Sequence, residues 1–142
     1  MEKLEDIIFY SMDKTIRSYR MYAQKKLKEN GFKITIDQWL VIKVLMENPG
    51  ISQQSIAEKV FKDNASVTRI IELLVKSGYL KRTENQLDRR KSSLKITSSG
   101  KKIIADVQEL VKRNRSIALQ GIDQKELEIL QNLLTKISTN CA

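Results

Sequence analysis

The sequence has no histidine, one cysteine and one proline in 142 residues. Each scarcity excludes a kind of chemistry. With Cys141 alone, no intramolecular disulfide can form, which suits a reducing compartment. Without histidine and with one thiol, a structural zinc site or a Cys/His nucleophile system is not expected. The five glycines, Gly31, Gly50, Gly78, Gly100 and Gly121, are spread singly between patterned segments. They make no phosphate-cradling loop, and no nucleophile–base pair is found, so neither an enzyme nor a cofactor is expected. No apolar run approaches about 18 residues, so nothing spans a membrane. The opening MEKLEDIIFYSMDK puts acids ahead of its apolar run and lacks a signal-peptide layout, so a cytoplasmic location is expected.

What is present is basic charge and ordinary globular composition. Hydrophobic residues make up 41%, enough for a core in one domain with helical extensions. The formal charge is +9 and the pI near 9.7, so a polyanionic partner is expected. The charge is unevenly placed. Residues 50–102 hold twelve Lys/Arg against five Asp/Glu, a net of +7, which leaves +2 for the rest of the chain.

Apolar spacings of three and four predict a long first helix over 4–29, carried by Ile8, Met12, Ile16, Tyr19, Ala23 and Leu27. A connector ends in Thr35. A second helix runs from Ile36 to Glu47, with Trp39, Leu40 and Val44 inside and room for Val41 and Leu45; Asn48-Pro49-Gly50 stops it. Ser52 caps a third helix ending near Val60 or Phe61, with Ile51 stapled to Ile56. After a tight polar turn, Asp63 or Asn64 caps a fourth helix to about Ser77, with Gly78 as its left-handed stop. Two short helices so joined make a helix-turn-helix.

In the fourth helix Val67, Ile70, Ile71 and Leu74 share one face, while Ala65, Ser66, Thr68 and Arg69 share the other. Nothing bulky blocks that second face from a groove floor, and an arginine can grip guanine bidentately. An ordinary solvated face has the same composition. Tyr79–Arg82 and Leu94–Ile96 alternate as a half-buried antiparallel pair, around a loop from Thr83 to Ser93 that holds Asp88, Arg89, Arg90 and Lys91. An arginine-tipped flap beside a recognition helix suits a minor groove; a solvated basic turn is the plainer reading. Thr97 or Ser98 caps a fifth helix to about Gln120, and Asp123 caps a last one bearing Leu127, Leu130, Leu134 and Ile137. The terminal helices carry more apolar surface than one core needs, and a symmetric dimer is the simplest use for it. Two recognition helices would then meet successive major grooves of a pseudo-palindrome.

At Asp88-x-Arg90, Leu94 and Ile96-Thr97-x-x-Gly100 the chain resembles the MarR family, the multiple-antibiotic-resistance-type transcriptional regulators of bacteria. Val67-Thr68-Arg69-Ile70-Ile71, Leu74 to Leu80, Thr35 to Trp39 and Ile51 to Ala57 extend the likeness over nearly the whole chain. The resemblance implies a mainly α (α+β) winged helix-turn-helix. It implies a triangular homodimer, repressing from a double-stranded DNA operator and released by a small phenolic or anionic effector. Residues 1–35 would form the N-terminal dimerisation helix and connector, 36–100 the DNA-binding module, and 101–142 the C-terminal dimerisation helices. Ser66, Thr68 and Arg69 would map to the recognition positions, and Arg90 to the wing arginine, oriented by Asp88. Arg89 and Lys91 would contact phosphates or the groove. Tyr10, Arg17, Tyr19, Tyr22 and Trp39 would line the effector cleft, though aromatics at helical spacing also read as core. Members that sense oxidants use an N-terminal cysteine, and zinc sensors use His-rich or Cys/His sites; neither is here. The other reading is a winged-helix protein-interaction module such as an antirepressor, which would favour exposed apolar residues on the recognition face.

Overall fold

The computed structural model describes residues 1–84 and 92–142. A 3-10 turn, Leu4–Asp6, leads into α1 (Ile8–Glu29), α2 (Ile36–Glu47), α3 (Gln53–Val60) and α4 (Asn64–Lys76). The antiparallel strands β1 (Leu80–Glu84) and β2 (Ser92–Ile96) follow, then α5 (Ser98–Ala118) and α6 (Gln124–Asn140). This is a winged helix-turn-helix with long helices at both ends. No helix of the described residues is long and apolar enough to cross a membrane.

Local side-chain chemistry starts five of the helices. Thr35, Ser52, Asp63, Thr97 and Asp123 each accept a hydrogen bond from the backbone N–H three residues on. Each thereby satisfies a donor that the helix itself cannot. Thr35 and Gln38 form a reciprocal capping box, as do Asp123 and Glu126. At the other end of α4, Gly78 takes φ +83, a left-handed conformation that favours glycine. The first helix differs from expectation. Ile7 is extended and offers no side-chain cap, and the turn ahead of it buries nothing, so no packing carries the helix back to Leu4.

The core is built around α2, which packs against α1, α3, α4, α5 and β2. Its apolar residues are spread around the helix, so its period does not single out one face. Val41, Ile42 and Leu45 are fully enclosed, while Trp39, Leu40 and Val44 are only half-buried, a different inside from the one expected. From α4, Val67, Ile71 and Leu74 enter the same core, with Ile70 at its edge. Each such side chain contributes about 1.5–3 kcal/mol of burial, opposed by chain entropy. The core also takes Leu27 and Ile34 from upstream, and Ile104, Val107 and Leu110 from α5.

The wing is longer than its apolar alternation implied. Thr83 pairs with Ser93, and the Thr83 hydroxyl donates to the Ser93 carbonyl at 3.2 Å, which carries the ladder past Arg82. At the wing's base the Thr97 N–H donates to the Tyr79 carbonyl at 3.1 Å, and the Thr97 hydroxyl donates to the Gly78 carbonyl. Gly100 lies buried against this junction. A Cβ there would collide with the Tyr79 carbonyl oxygen and sit 2.8 Å from Ile96 Cγ2. The Ile96-Thr97-x-x-Gly100 motif therefore docks the wing onto the start of α5.

The two ends of the chain are covered differently. α1 buries only Ala23 and Leu27, and α6 buries nothing. Ile8, Phe9, Ile16, Ile129, Leu130 and Leu133 are exposed.

Candidate nucleic-acid interface and the cavity behind it

The start of α4 is held by Asp63. Its carboxylate accepts from the Ser66 N–H at 2.7 Å. That bond, and a second one with the Ser66 side chain, hold the Asp63 carboxyl below the usual carboxylate range. Behind this cap, Val67, Ile71 and Leu74 point into the core and Ala65, Ser66 and Arg69 point away from it. Thr68 is already engaged. Its hydroxyl donates to the Asn64 carbonyl at 2.8 Å and accepts from the Gln53 amide on α3 at 2.6 Å. Its donor is used, and its methyl remains for apolar contact. Ser66 is likewise drawn towards Asp63. Ala65 and Arg69 are exposed, and among the described residues Arg69 has no ion-pair partner. Gln53 is a residue that sequence reasoning passed over, because the bond depends on how α3 crosses α4.

The turn between α3 and α4 is not wholly polar. Phe61 takes φ +61 with its ring 93% exposed, a strained conformation for a non-glycine residue. Lys62 follows and reaches Asp37 on α2 at 3.4 Å.

On the wing, Lys81 lies directly opposite Lys95, and both are exposed. Like charges across a strand pair repel, and an anion laid along that face relieves the repulsion. These two lysines add to the expected wing residues; Asp88, Arg89, Arg90 and Lys91 lie outside the described residues. Among the described residues no group of three or more His, Cys, Asp or Glu is placed to hold a metal ion.

Behind the module, α1, α2 and α5 enclose a cavity of about 250 Å³. Tyr19, Leu27, Ile36 and Trp39 make an apolar wall, with Arg20 and Arg115 at it. Asn114, 3% exposed, also lines the cavity. It continues the inward stripe of Ile104, Val107 and Leu110, a polar residue where the period calls for an apolar one. Of the aromatic set expected from sequence, Tyr19 and Trp39 are in the wall. Tyr10 is exposed, Arg17 pairs with Asp13 at 3.0 Å, and the Tyr22 ring lies 5.6 Å from Lys26 Nζ; these three are not. The reason is a rotation: Arg20 and Ile16, rather than Arg17 and Tyr22, share the face of Tyr19 and Ala23 that meets α2 and α5. An adjoining cavity of about 290 Å³ shares Trp39, Val111 and Arg115 and adds Lys43 and Lys112. Apolar walls with cations at hand suit small organic anions.

Residues 34–92 match the MarR family. Over 107 residues the chain is 27% identical to the uncharacterized HTH-type transcriptional regulator YybA of Bacillus subtilis (strain 168), covering 75% of this chain and 71% of that one. Over 109 residues it is 28% identical to the HTH-type transcriptional regulator FarR of Neisseria gonorrhoeae, covering 77% and 75%. A MarR protein from Peptoclostridium difficile superposes with a TM-score of 0.81 at 25% identity, covering 94% of this chain and 86% of that one.

Proposed function

We propose that this chain, whose residues 34–92 match the MarR family, is a DNA-binding, HTH-type transcriptional regulator, and that it represses transcription as a homodimer on a pseudo-palindromic operator. In this reading residues 36–100 are the DNA-binding module, and 1–35 with 101–142 pair the two copies. The exposed apolar faces of α1 and α6 support the pairing. The observation that carries the DNA reading is the α4 face itself. It presents Ala65, Ser66, the Thr68 methyl and an exposed Arg69, within the stretch that holds +7 of the charge. A protein-docking face would be apolar there.

The hydrogen bonds of Thr68 and Ser66 support a division of labour. Arg69 reads a base edge, Ala65 and the Thr68 methyl sit against the groove floor, and Ser66 stays near the cap. The wing, with Lys81, Lys95 and Asp88 to Lys91, contacts backbone or minor groove. A small phenolic or anionic molecule in the cavity between Tyr19, Trp39, Arg20 and Arg115 releases the complex.

Duplexes selected by the protein from a random pool, compared with unselected DNA across a salt series, test this. Arg69→Ala is expected to cut discrimination between the two by about 5- to 150-fold, the worth of one bidentate base contact. Lys81→Ala should weaken both alike and lower the salt slope by about one. A protein that binds neither DNA at low salt sinks the proposal and leaves the antirepressor reading.

A further inference from the structure

We propose that Asp37 couples the cavity to the recognition helix, through an ion-pair bridge from Arg20 to Lys62. The inference rests on the reading of the cavity as an anion site and concerns how an occupant would be felt at α4. Arg20 on α1 lines the cavity, and its guanidinium binds Asp37 Oδ1. The other carboxylate oxygen, Oδ2, holds Lys62 Nζ at 3.4 Å. One carboxylate thus spans from the cavity wall to the turn ahead of α4. The three side chains are between 31% and 40% exposed, so the bridge is partly shielded from solvent.

The turn is short and stiff enough to pass on a displacement. Only Phe61, Lys62 and Asp63 separate α3 from α4. The Lys62 N–H donates to the Ala57 carbonyl at 3.0 Å, Phe61 is locked left-handed, and the next residue, Asp63, is the α4 cap. A carboxylate entering the cavity finds Arg20 with a planar fork that binds carboxylates bidentately. Where it binds through Nη2, it competes with Asp37 for that nitrogen. Asp37, in the first turn of α2 and charged, then keeps Lys62 as its sole cation and draws it towards α2. Lys62 carries the Asp63 cap and the Ala65–Arg69 face with it. By linkage, DNA that holds α4 in its free position weakens anion binding by the same factor.

The test uses the full chain, benzoate as probe and a duplex selected from a random pool. Trp39, the only tryptophan, lines the cavity and reports benzoate by fluorescence. In the parent, saturating benzoate should lower DNA affinity by about 5- to 150-fold, the usual range of such coupling. In Asp37→Asn and in Lys62→Gln that ratio should fall below about twofold. Asp37→Asn should still bind benzoate, at least as tightly as the parent, because Arg20 has no carboxylate to leave. Lys62→Arg should restore the ratio, which a merely structural role for Lys62 does not require. If Asp37→Asn or Lys62→Gln binds benzoate and keeps the parental ratio, the bridge is overturned while the cavity reading stands. If Trp39 of the parent gives no response to benzoate, the cavity reading falls and the bridge with it.

Discussion

α4 and α6 are written in nearly the same pattern and end in opposite surroundings. Val67, Ile71 and Leu74 on α4 are wholly enclosed, whereas α6, with Leu127, Leu130, Leu134 and Ile137 at matching intervals, buries none of them. A period of three and four states which face is apolar, not what covers it. α4 is short and lies between α2, α3 and β1, so its stripe is closed on all sides by its own chain. α6 follows Gly121 and packs against no other element to a comparable extent among the described residues. Its stripe therefore awaits a partner, and a second copy with the same stripe is the one that we propose.

Core substitution breaks this contrast most sharply. Leu74→Ala should cost about 2–5 kcal/mol in a denaturant titration, since it opens a cavity in an enclosed site. The corresponding Leu133→Ala on α6 should cost far less in a chain kept dilute enough to be monomeric. Next in size is Gly100→Ala. Its methyl meets backbone at the wing's base, so about 1–3 kcal/mol should be lost, with the wing affected before α6. Leu133→Asp sharpens the other side. It should leave the helical content of the monomer intact yet shift sedimentation from dimer to monomer and lower affinity for selected DNA. A stable dimer in that variant would remove α6 from the pairing surface.

The smallest effect is expected at the α4 cap. The Asp63 carboxyl is held below its ordinary pKa in the folded chain, so its stabilising effect is complete above that ordinary value, near 3.8, and fades as pH falls from there through the folded value. The difference in melting temperature between the parent and Asp63→Ala should therefore be constant at neutral pH and shrink below about pH 4. A difference that grew towards acid would mean that the carboxylate is not the stabilising form.

Much of the winged module was legible in the sequence because its boundaries are local chemistry. Ser52, Asp63 and Thr97 act on a backbone N–H three residues away, as Asp123 does at the start of α6, and Gly78 needs only its own φ. The α4 face was legible too, because its two sides differ in kind. The cavity was read only in part. Tyr19 and Trp39 stand in its wall, but Arg20, Arg115 and Asn114 were not selected. A helix with aromatics on several faces does not say which face meets α5. Gln53 and its bond to Thr68 were hidden for the same reason: fifteen residues separate them, and only the crossing of α3 and α4 brings them together.

By itself, then, the sequence determined where the helices start and stop, which stretch carries the positive charge and which side of α4 is polar. All of these depend on neighbours within a turn or two, or on counting. Tertiary structure alone decided which of the apolar residues spread around α2 are enclosed and which cations reach the cavity. It also decided that one carboxylate, Asp37, joins Arg20 to Lys62. Those pairings join residues on three separate segments, and no periodicity within a segment encodes the angle at which it meets another.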